Sequence, residues 1–461
     1  MPATDLLGER DAWHLLRRAG FGAHATEVAR FAGLSRAAAV DELLAVPTTP
    51  VKVPARVSVD FAAGESLRIW WLRRMASPRY RLQEKMVLFW HDHFPSALSV
   101  ISLVDSAAEQ NATFRAHALG PFRTLLHQVT RNRAMLDYLD GRRSHKGAVN
   151  ENYGRELMEL FSLGPRDDEG YDNYQQIDVQ GMARSLTGFV YADVKKPVVQ
   201  MSASEFDSLA KVIFYARPYQ MSGNLGVENE DGTLFPPATN VLDALFTHRD
   251  FTGRSSLARF MVRKLWAWFA SPTLGEGLLN DLSAAFINSG YVIGELLRAL
   301  LTHDAFYTEE ARTSTAKTPV DFALQALLAL GVKTSWRELP PYLARMGMTL
   351  FDPPGVEGWQ HGPAWLASSR YLTRMQLAQA FASGRSGKDS FTFKPVVPVG
   401  ATPTSLVDGA LAQLGLEVPS ATRELLIAYV SGGEFGSQSW YEMKLRGLYA
   451  LLLSLPEYQV H

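Results

Sequence analysis

The chain has 461 residues, of which 47% are hydrophobic and 20% charged, so it is a globular protein rather than a disordered or fibrous one. Its 46 Lys and Arg residues nearly balance 47 Asp and Glu, and this net charge of −1 argues against general nucleic-acid binding. The absence of cysteine excludes disulfides, thiolate metal sites and cysteine nucleophiles. No apolar run approaches the roughly 18 residues of a membrane span, so none is expected.

Apolar residues recur at steps of three and four along most of the chain, which predicts a mostly α-helical protein. The clearest helical pattern covers residues 66–94, with Pro78 as a break. The other predicted helices cover residues 122–139, 155–163, 179–186, 241–246, 257–269, 293–301, 320–330, 422–430 and 445–455. Residues 198–201 and 211–215 alternate as strands do, and pairing of the two would give a small hairpin-like insertion. We therefore predict a large, bundle-like assembly of helices with one small β-containing or irregular insertion.

Loop signals divide this assembly into four predicted segments. They are an N-terminal helical region (1–190) that carries the His and Glu motifs, an irregular or small β insertion (191–240), a helical region with a Pro-Pro-Gly-Trp loop (241–382), and a linker with C-terminal helices (383–461). Residues 218–240 have no helical signal, and a loop of that length is usually a lid or a small subdomain. Because residues 1–10 lack the basic and apolar regions of a secretory signal, a cytoplasmic location is expected.

The most distinctive local group of polar residues is His91-Asp92-His93, just before Pro95. Two imidazoles and a carboxylate suit a metal site or an acid–base site. On a continuous helix, residues two apart point about 200° away from each other, so the two rings would converge only if the helix frays before Pro95. The alternative is that one ring bonds in the core while the other lies at the surface.

A second group of polar residues lies at residues 150–160 (NENYGRELMEL). Glu156 and Glu159 are three residues apart, a spacing that presents two carboxylates on one helix face to a cation or a reaction centre. The alternative is an ordinary surface ion pair of Arg155 with Glu159. Further along the chain, Asp178 is predicted to cap a helix and Arg184 to pair with an inward carboxylate.

Two later motifs favour structural roles. Residues 248–250 (HRD) sit at a predicted helix end before Gly253, which indicates capping more than catalysis. Residues 351–359 (FDPPGVEGW) form a rigid turn with an aromatic anchor, and their Pro and Gly residues favour packing over reactivity. The sequence has no nucleophile elbow, phosphate-binding glycine loop, dinucleotide fingerprint or HExxH zinc motif.

Several blocks follow one another in a fixed order along the chain. They are residues 14–22 (HLLRRAGFG), 85–94 (KMVLFWHDHF), 150–164 (NENYGRELMELFSLG), 178–189 (DVQGMARSLTGF), 351–359 (FDPPGVEGW) and 365–374 (WLASSRYLTR). In this order they resemble the large bacterial family called domain of unknown function 1800 (DUF1800). The resemblance runs from about residue 14 to residue 380, with weaker similarity beyond.

The resemblance implies a large, mostly helical protein and little about chemistry. Members of the family are often exported, and their genes often neighbour those of exported proteins of alkaline-phosphatase-like character, which implies a protein partner of that kind. Many members carry His where Phe161 stands here, and many have a His-Asp pair in the region of residues 215–226. If those residues complete a site in relatives, this protein has a reduced or altered one.

Two hypotheses of function follow. In the first, the protein is a metal-dependent enzyme, with hydrolysis as the reaction class considered first. The proposed ligands of a divalent metal ion are His91, His93 and Glu156. Glu159 would be a further ligand or the general base, and Arg155 or Arg184 would hold an anionic group of a small-molecule or polymer substrate. In the second, the protein is a non-catalytic binding or assembly protein whose polar motifs form a structural network.

Overall fold

The structure is a computed structural model that describes residues 6–46, 61–215, 217–227, 239–384, 391–395 and 397–461. It is mostly α-helical, with a few short strands, which confirms the predicted fold class. The helices of the first half are α1 (Gly8–Arg18), α2 (Ala25–Ala32), α3 (Arg36–Leu44), α4 (Phe61–Met75), α5 (Arg81–His93), α6 (Val104–Ala116), α7 (Phe122–Thr130), α8 (Arg133–Tyr138), α9 (Asn152–Glu159), α10 (Gln176–Ser185), α11 (Asp243–Thr247) and α12 (Ser256–Phe269).

The second half of the chain continues the helical pattern. Its helices are α13 (Glu276–Asn288), α14 (Ile293–Thr302), α15 (Glu309–Thr313), α16 (Pro319–Leu330), α17 (Leu339–Arg345), α18 (Ser368–Ser383), α19 (Pro403–Leu414), α20 (Ser420–Ser431), α21 (Gln438–Trp440), α22 (Arg446–Ser454) and α23 (Pro456–Gln459). A π-helical turn at Tyr441–Leu445 joins α21 to α22. Short 3₁₀ turns lie at Pro78–Tyr80, Gly141–Arg143, Asp304–Tyr307 and Gly362–Leu366.

The strands form two-stranded pairs between α10 and α11. Strand β1 (Phe189–Tyr191) pairs antiparallel with β2 (Val199–Met201), β3 (Lys211–Ile213) pairs antiparallel with β4 (Met221–Gly223), and β5 (Leu225–Gly226) pairs parallel with β6 (Thr239–Asn240). The two predicted strands exist, but the prediction that they pair with each other is wrong. Each pairs instead with a three-residue strand nearer in sequence, too short to show an alternating pattern. Residues 228–238 of the predicted long loop lie outside the described part of the chain.

Helix α5 is the central element of the fold, because every residue from Arg81 to His93 is buried. The predicted break at Pro78 separates it from α4, as expected for a residue that cannot continue a helix. A helix that is buried all round has no solvated face for its polar residues. Its charged and imidazole side chains must therefore find partners inside the protein, or remain neutral.

One hydrophobic core extends from α1 to α23. Distant parts of the chain meet in it: the guanidinium of Arg18 on α1 donates to the backbone carbonyls of Phe269 and Ala270 at the end of α12, and to that of His461. The continuous core does not test the predicted division into four segments, which stays a prediction. Of the helices in the described residues, none is both long enough and apolar enough to cross a membrane.

Candidate functional site

The two imidazoles of the 91–93 motif lie on opposite sides of α5. The helix does not fray before Pro95, because it continues through His93 and the Phe94 N–H still donates to the Trp90 carbonyl at 2.8 Å. Residues two apart on such a helix point about 200° away from each other. The structure therefore does not bring His91 and His93 together.

His91 is enclosed by aromatic rings. The rings of Trp71, Phe114, Phe351 and Trp359 surround it with centroid distances of 5.3 to 6.2 Å. Its Nε2 atom has no hydrogen-bond partner among the described residues. Burial lowers the pKa of His91 to about 3, so the ring is neutral at physiological pH and packs as an apolar group.

This environment predicts that His91 makes the protein sensitive to acid. Its pKa is near 6.5 when unfolded and about 3 when folded, so between these values the unfolded state binds more protons and the free energy of unfolding falls as the pH falls. From pH 7 to pH 4, the free energy of unfolding of wild type should fall by about 3 kcal/mol more than that of His91→Leu, because the variant has no imidazole to protonate. Urea denaturation at both pH values measures the difference.

The exposed imidazole of His145 provides the control for this experiment. His145→Leu should follow the wild-type dependence on pH. An equal loss of stability in His91→Leu and wild type would show that the folded protein accepts a proton at residue 91, contrary to its aromatic enclosure.

His93 forms the inner part of a polar site with Lys264 of α12. Its Nε2 lies 3.0 Å from the backbone carbonyl of Phe161, which can only accept, so Nε2 carries the proton. Its Nδ1 then accepts from the Lys264 ammonium at 3.1 Å, and Lys264 also donates to the Leu160 carbonyl at 3.1 Å. Burial lowers the pKa of Lys264 to about 8, although the charge of Asp92 opposes the shift.

Asp92 connects α5 to the loop at residues 351–361. One carboxylate oxygen accepts from the Trp359 backbone N–H at 2.7 Å, and the other lies 3.0 Å from Nε2 of His361. Gly358 has φ +82°, and a Cβ atom there would overlap the Asp92 carboxylate, so the close approach of the loop requires glycine. Partial burial opposes charge on His361, but the hydrogen bond and charge of Asp92 outweigh it and raise the pKa of His361.

The same loop is fastened at its first residues. Phe351 has a left-handed backbone with φ +62°, and its carbonyl accepts from the Leu98 N–H at 2.8 Å. The Asp352 carboxylate accepts from both the backbone N–H and the hydroxyl of Ser99. A non-glycine residue in this region is strained, and the fixed contacts hold it there. The predicted packed turn therefore also positions His361 at the site.

Three carboxylates belong to the outer part of the site. Burial raises the pKa of Glu156, and the neighbouring charges of Glu159 and Glu357 add to the shift, while Arg155 opposes it. Glu159 accepts a hydrogen bond of 3.0 Å from the Tyr174 hydroxyl. Glu156 and Glu159 are half-buried on α9, whereas Glu357 is exposed on the loop that also carries Gly358. The charges of these side chains interact and form an acidic edge, which adjoins the site through the backbone. Leu160, next to Glu159, accepts from Lys264, and Gly358, next to Glu357, packs against Asp92.

The two arginines predicted to bind an anionic group are occupied by other partners. Arg155 donates to Glu151 at 3.1 Å and to Gln176 at 2.9 Å, so the surface ion pair with Glu159 that we considered is not formed. Arg184 makes a two-point contact with the Asp207 carboxylate at 2.7 and 3.3 Å, which confirms the predicted pairing with a carboxylate. It joins α10 to the segment between β2 and β3.

The prediction that Asp178 is a helix N-cap is wrong by three residues. Asp178 lies at the third helical position of α10 and completes a capping box with Gln175, which is the N-cap residue. Its other carboxylate oxygen accepts from the backbone N–H of Phe214 at 2.6 Å. Asp178 therefore connects α10 to the end of β3 and serves the fold rather than the site.

The predicted metal ligands are dispersed. His91 lies in its aromatic enclosure, His93 uses both ring nitrogens in protein contacts, and Glu156 lies on α9. Within the described ranges, no group of three or more His, Asp or Glu side chains is placed to hold a metal ion. Whether the protein binds a divalent metal stays a prediction.

The site contains residues that the sequence did not single out. We use the name polar cluster for Asp92, His93, Glu156, Lys264, Glu357 and His361. The sequence does carry a signal for Lys264. This residue lies among Leu265, Trp266 and Phe269 on α12, and a charge in an apolar helix needs a partner. Nothing in the local pattern identified His361 or Glu357.

Phe161 lies against this polar cluster. Its ring centroid is 5.9 Å from that of His93, and its carbonyl accepts a hydrogen bond from Nε2 of His93. A phenyl ring cannot accept or donate a proton, so the wall on the His93 side of the cluster is apolar.

Fold and site together define a mostly helical protein with a charged cluster between α5, α9, α12 and the 351–361 loop. The chain belongs to the DUF1800 family, described as a protein of unknown function, whose profile matches residues 14–460. The comparison with curated proteins and the comparison with solved structures each returned no match.

Proposed function

We propose that the protein is a hydrolase that uses acid–base catalysis at the polar cluster on a polar substrate with an anionic group. The observation that carries this proposal is Lys264, a lysine with a pKa near 8 held beside His93 and Asp92. Perturbed pKa values concentrate at functional sites because catalysis requires groups that exchange protons near neutral pH.

The polar cluster offers separate groups for binding and for proton transfer. The ammonium of Lys264 and the imidazolium of His361 suit an anionic group of the substrate. Glu156, with its raised pKa, suits transfer of a proton from attacking water to the leaving group. Asp92 orients His361 and favours its charged form. His361 and Glu357 are exposed, so a substrate can reach the polar cluster from solvent.

A divalent cation remains part of the proposal. Glu156, Glu159 and Glu357 interact electrostatically, and a cation beside them would relieve their mutual repulsion. Titration calorimetry with Mg²⁺, Mn²⁺ and Zn²⁺ tests this, with Glu156→Gln as the variant. Binding of one ion per chain that is lost in the variant would support a metal-dependent reaction, and equal binding by both would place the ion elsewhere.

A second candidate is a non-catalytic binding or assembly protein with a structural polar network. The observation that favours it is that His93 uses both ring nitrogens within the fold and that Arg184 donates to Asp207 and to the Ala210 carbonyl. In that case, replacement of cluster residues would change stability alone. A protein partner of alkaline-phosphatase-like character stays a prediction that co-purification would test.

A panel of chromogenic esters, phosphoesters, sulfoesters, glycosides and peptides tests the hydrolase proposal. Wild type should hydrolyse one class, and His361→Gln should lower kcat/KM by about 10- to 10²-fold, because loss of a charged hydrogen bond to the anionic group costs about 1.5–3 kcal/mol. His145→Gln, with an exposed ring, is the matched control. Hydrolysis at equal rates by wild type and His361→Gln would contradict a role for the polar cluster.

The pKa of Lys264 predicts how this activity depends on pH. Below about pH 8 the side chain is charged and can hold an anionic group, and above that value the charge is lost, so kcat/KM should decline. Lys264→Arg stays charged to much higher pH, so the decline near pH 8 should disappear from its profile. A profile of the same shape in both proteins would assign the decline to another group.

A further inference from the structure

A serine and a histidine outside the polar cluster form a hydrogen-bonded pair. Ser256 is the first residue of α12, and His248 directly follows α11. The Ser256 hydroxyl oxygen lies 2.9 Å from Nδ1 of His248. A nucleophile within hydrogen-bond reach of a base is the basic arrangement of covalent catalysis at serine.

The other contacts of His248 determine which nitrogen carries its proton. Its Nε2 lies 2.7 Å from the Asn173 backbone carbonyl, which can only accept, so the proton is on Nε2. The Tyr219 hydroxyl is also 3.3 Å from Nε2 and donates to the Arg249 carbonyl. Burial lowers the pKa of His248 to about 4, so the ring is neutral and its Nδ1 lone pair faces Ser256. The Asn173 side-chain oxygen is a second acceptor for the hydroxyl at 3.2 Å.

Ser256 also occupies the positive end of a 14-residue helix. The N-cap residue Ser255 accepts from the Ala258 N–H and so satisfies one first-turn donor. Across the described ranges, the N–H of Leu257 has no backbone acceptor. The N–H of the residue that follows a nucleophile at a helix start is a recurrent donor to a developing oxyanion.

Ser256 is one of the residues that line a cavity. A cavity of about 200 Å³ is lined by Gly164, Asn173, Ser256 and Phe260, together with Arg259 and Arg263. Both arginines bond to Asp168, so their charge is compensated. The lining also includes Arg166, Asp167 and Asp250, so three arginines and three aspartates, Asp168 among them, give the cavity no net charge. The cavity is smaller than most drug-sized sites. It suits a short, neutral acyl group.

We propose that Ser256 and His248 are the nucleophile and the base of a second reaction centre that hydrolyses esters of short acyl groups. The Ser256 oxygen attacks the acyl carbon while its proton moves to Nδ1 of His248. That proton then passes to the departing alkoxide, which leaves as an alcohol. Water attacks the acyl-enzyme, His248 relays its proton back to Ser256, and the carboxylic acid is released. Ester and water are thus converted to acid and alcohol.

Diisopropyl fluorophosphate tests the proposal on the intact protein. The serine oxygen bonds to phosphorus, fluoride leaves, and His248 takes up the serine proton. We expect one adduct per chain, located at Ser256 by peptide mapping of wild type, so the assignment does not depend on the folding of a variant. A folded wild-type protein that stays unlabelled, or an adduct at another residue, would overturn the proposal.

Variants separate this role from a structural one. Ser256→Ala should lose the adduct, and His248→Gln should form it at least about 10-fold more slowly because the base is missing. Ser255→Ala is the matched control, because it removes the neighbouring helix cap and should leave labelling intact. Equal labelling rates in wild type and folded His248→Gln would contradict the role of His248.

Discussion

Glu84→Gln should lower the free energy of unfolding by about 3–5 kcal/mol, the cost of breaking a buried ion pair. The Glu84 carboxylate on α5 is fully buried and accepts from the Trp71 indole at 3.0 Å and from Arg115 at 2.6 and 2.8 Å. The Arg74 guanidinium bonds to the same carboxylate. A neutral amide would leave two guanidinium groups in the interior without a counter-charge.

Urea denaturation at pH 7 measures this effect. Glu424→Gln is the control, since its side chain is exposed and surface substitutions usually change stability by less than 0.5 kcal/mol. A loss in Glu84→Gln no greater than that of the control would show that solvent reaches the two arginines, contrary to the burial of α5.

Asp321→Asn should destabilise the protein by a similar amount, about 3–5 kcal/mol, because it removes the carboxylate from a group of buried cations. Asp321 lies 2.6 Å from the Lys85 ammonium, and both side chains are buried. Burial lowers the pKa of Lys85 and Asp321 opposes that shift. The charge of Asp321 acts in the same way on Arg18, Lys317 and Arg374.

This sharing of one carboxylate predicts an order of effects. Lys85→Met leaves Asp321 with the other cations and with the Thr318 hydroxyl, which donates to it at 2.8 Å, so it should cost less than Asp321→Asn. Urea denaturation of both variants compares them. A larger loss of stability in Lys85→Met than in Asp321→Asn would show that the other cations do not share the Asp321 carboxylate.

The sequence predicted the helices of the central region well, because their periodicity is local. Pro78 separates α4 from α5 as expected, and the step pattern of apolar residues located both helices. The strand pairing was wrong since β1 and β4 are three residues long, and no alternating pattern can emerge over so short a segment. Each of the two predicted strands, β2 and β3, pairs with a strand nearer in sequence instead of with the other.

The candidate site could be predicted only in part. The motif at residues 91–93 does supply Asp92 and His93, yet the convergence of both imidazoles required a frayed helix end. Packing of α5 on all sides keeps the helix intact through His93. The local sequence pattern cannot show whether the end of α5 frays or stays intact, because that depends on packing against residues distant in sequence.

Lys264 and His361 escaped prediction because their partners are distant in sequence. Lys264 is 171 residues from His93, and His361 reaches Asp92 from a loop whose Gly and Pro residues indicated packing alone. Such contacts depend on how helices assemble, which periodicity does not specify. The Glu156–Glu159 spacing places two carboxylates near each other on α9, and the charge of Glu159 adds to the rise in the pKa of Glu156.

The proposed reaction centre depends on a lysine whose pKa lies near neutrality. Competitive acetylation with acetic anhydride across pH 6–11, read by mass spectrometry of peptides, measures that pKa directly. We expect a midpoint near pH 8 for Lys264, well below the roughly 10.4 of an ordinary lysine side chain. Asp92→Asn should lower the Lys264 midpoint further, because the carboxylate opposes the shift. A Lys264 midpoint at the ordinary lysine value of roughly 10.4 would contradict the acid–base site.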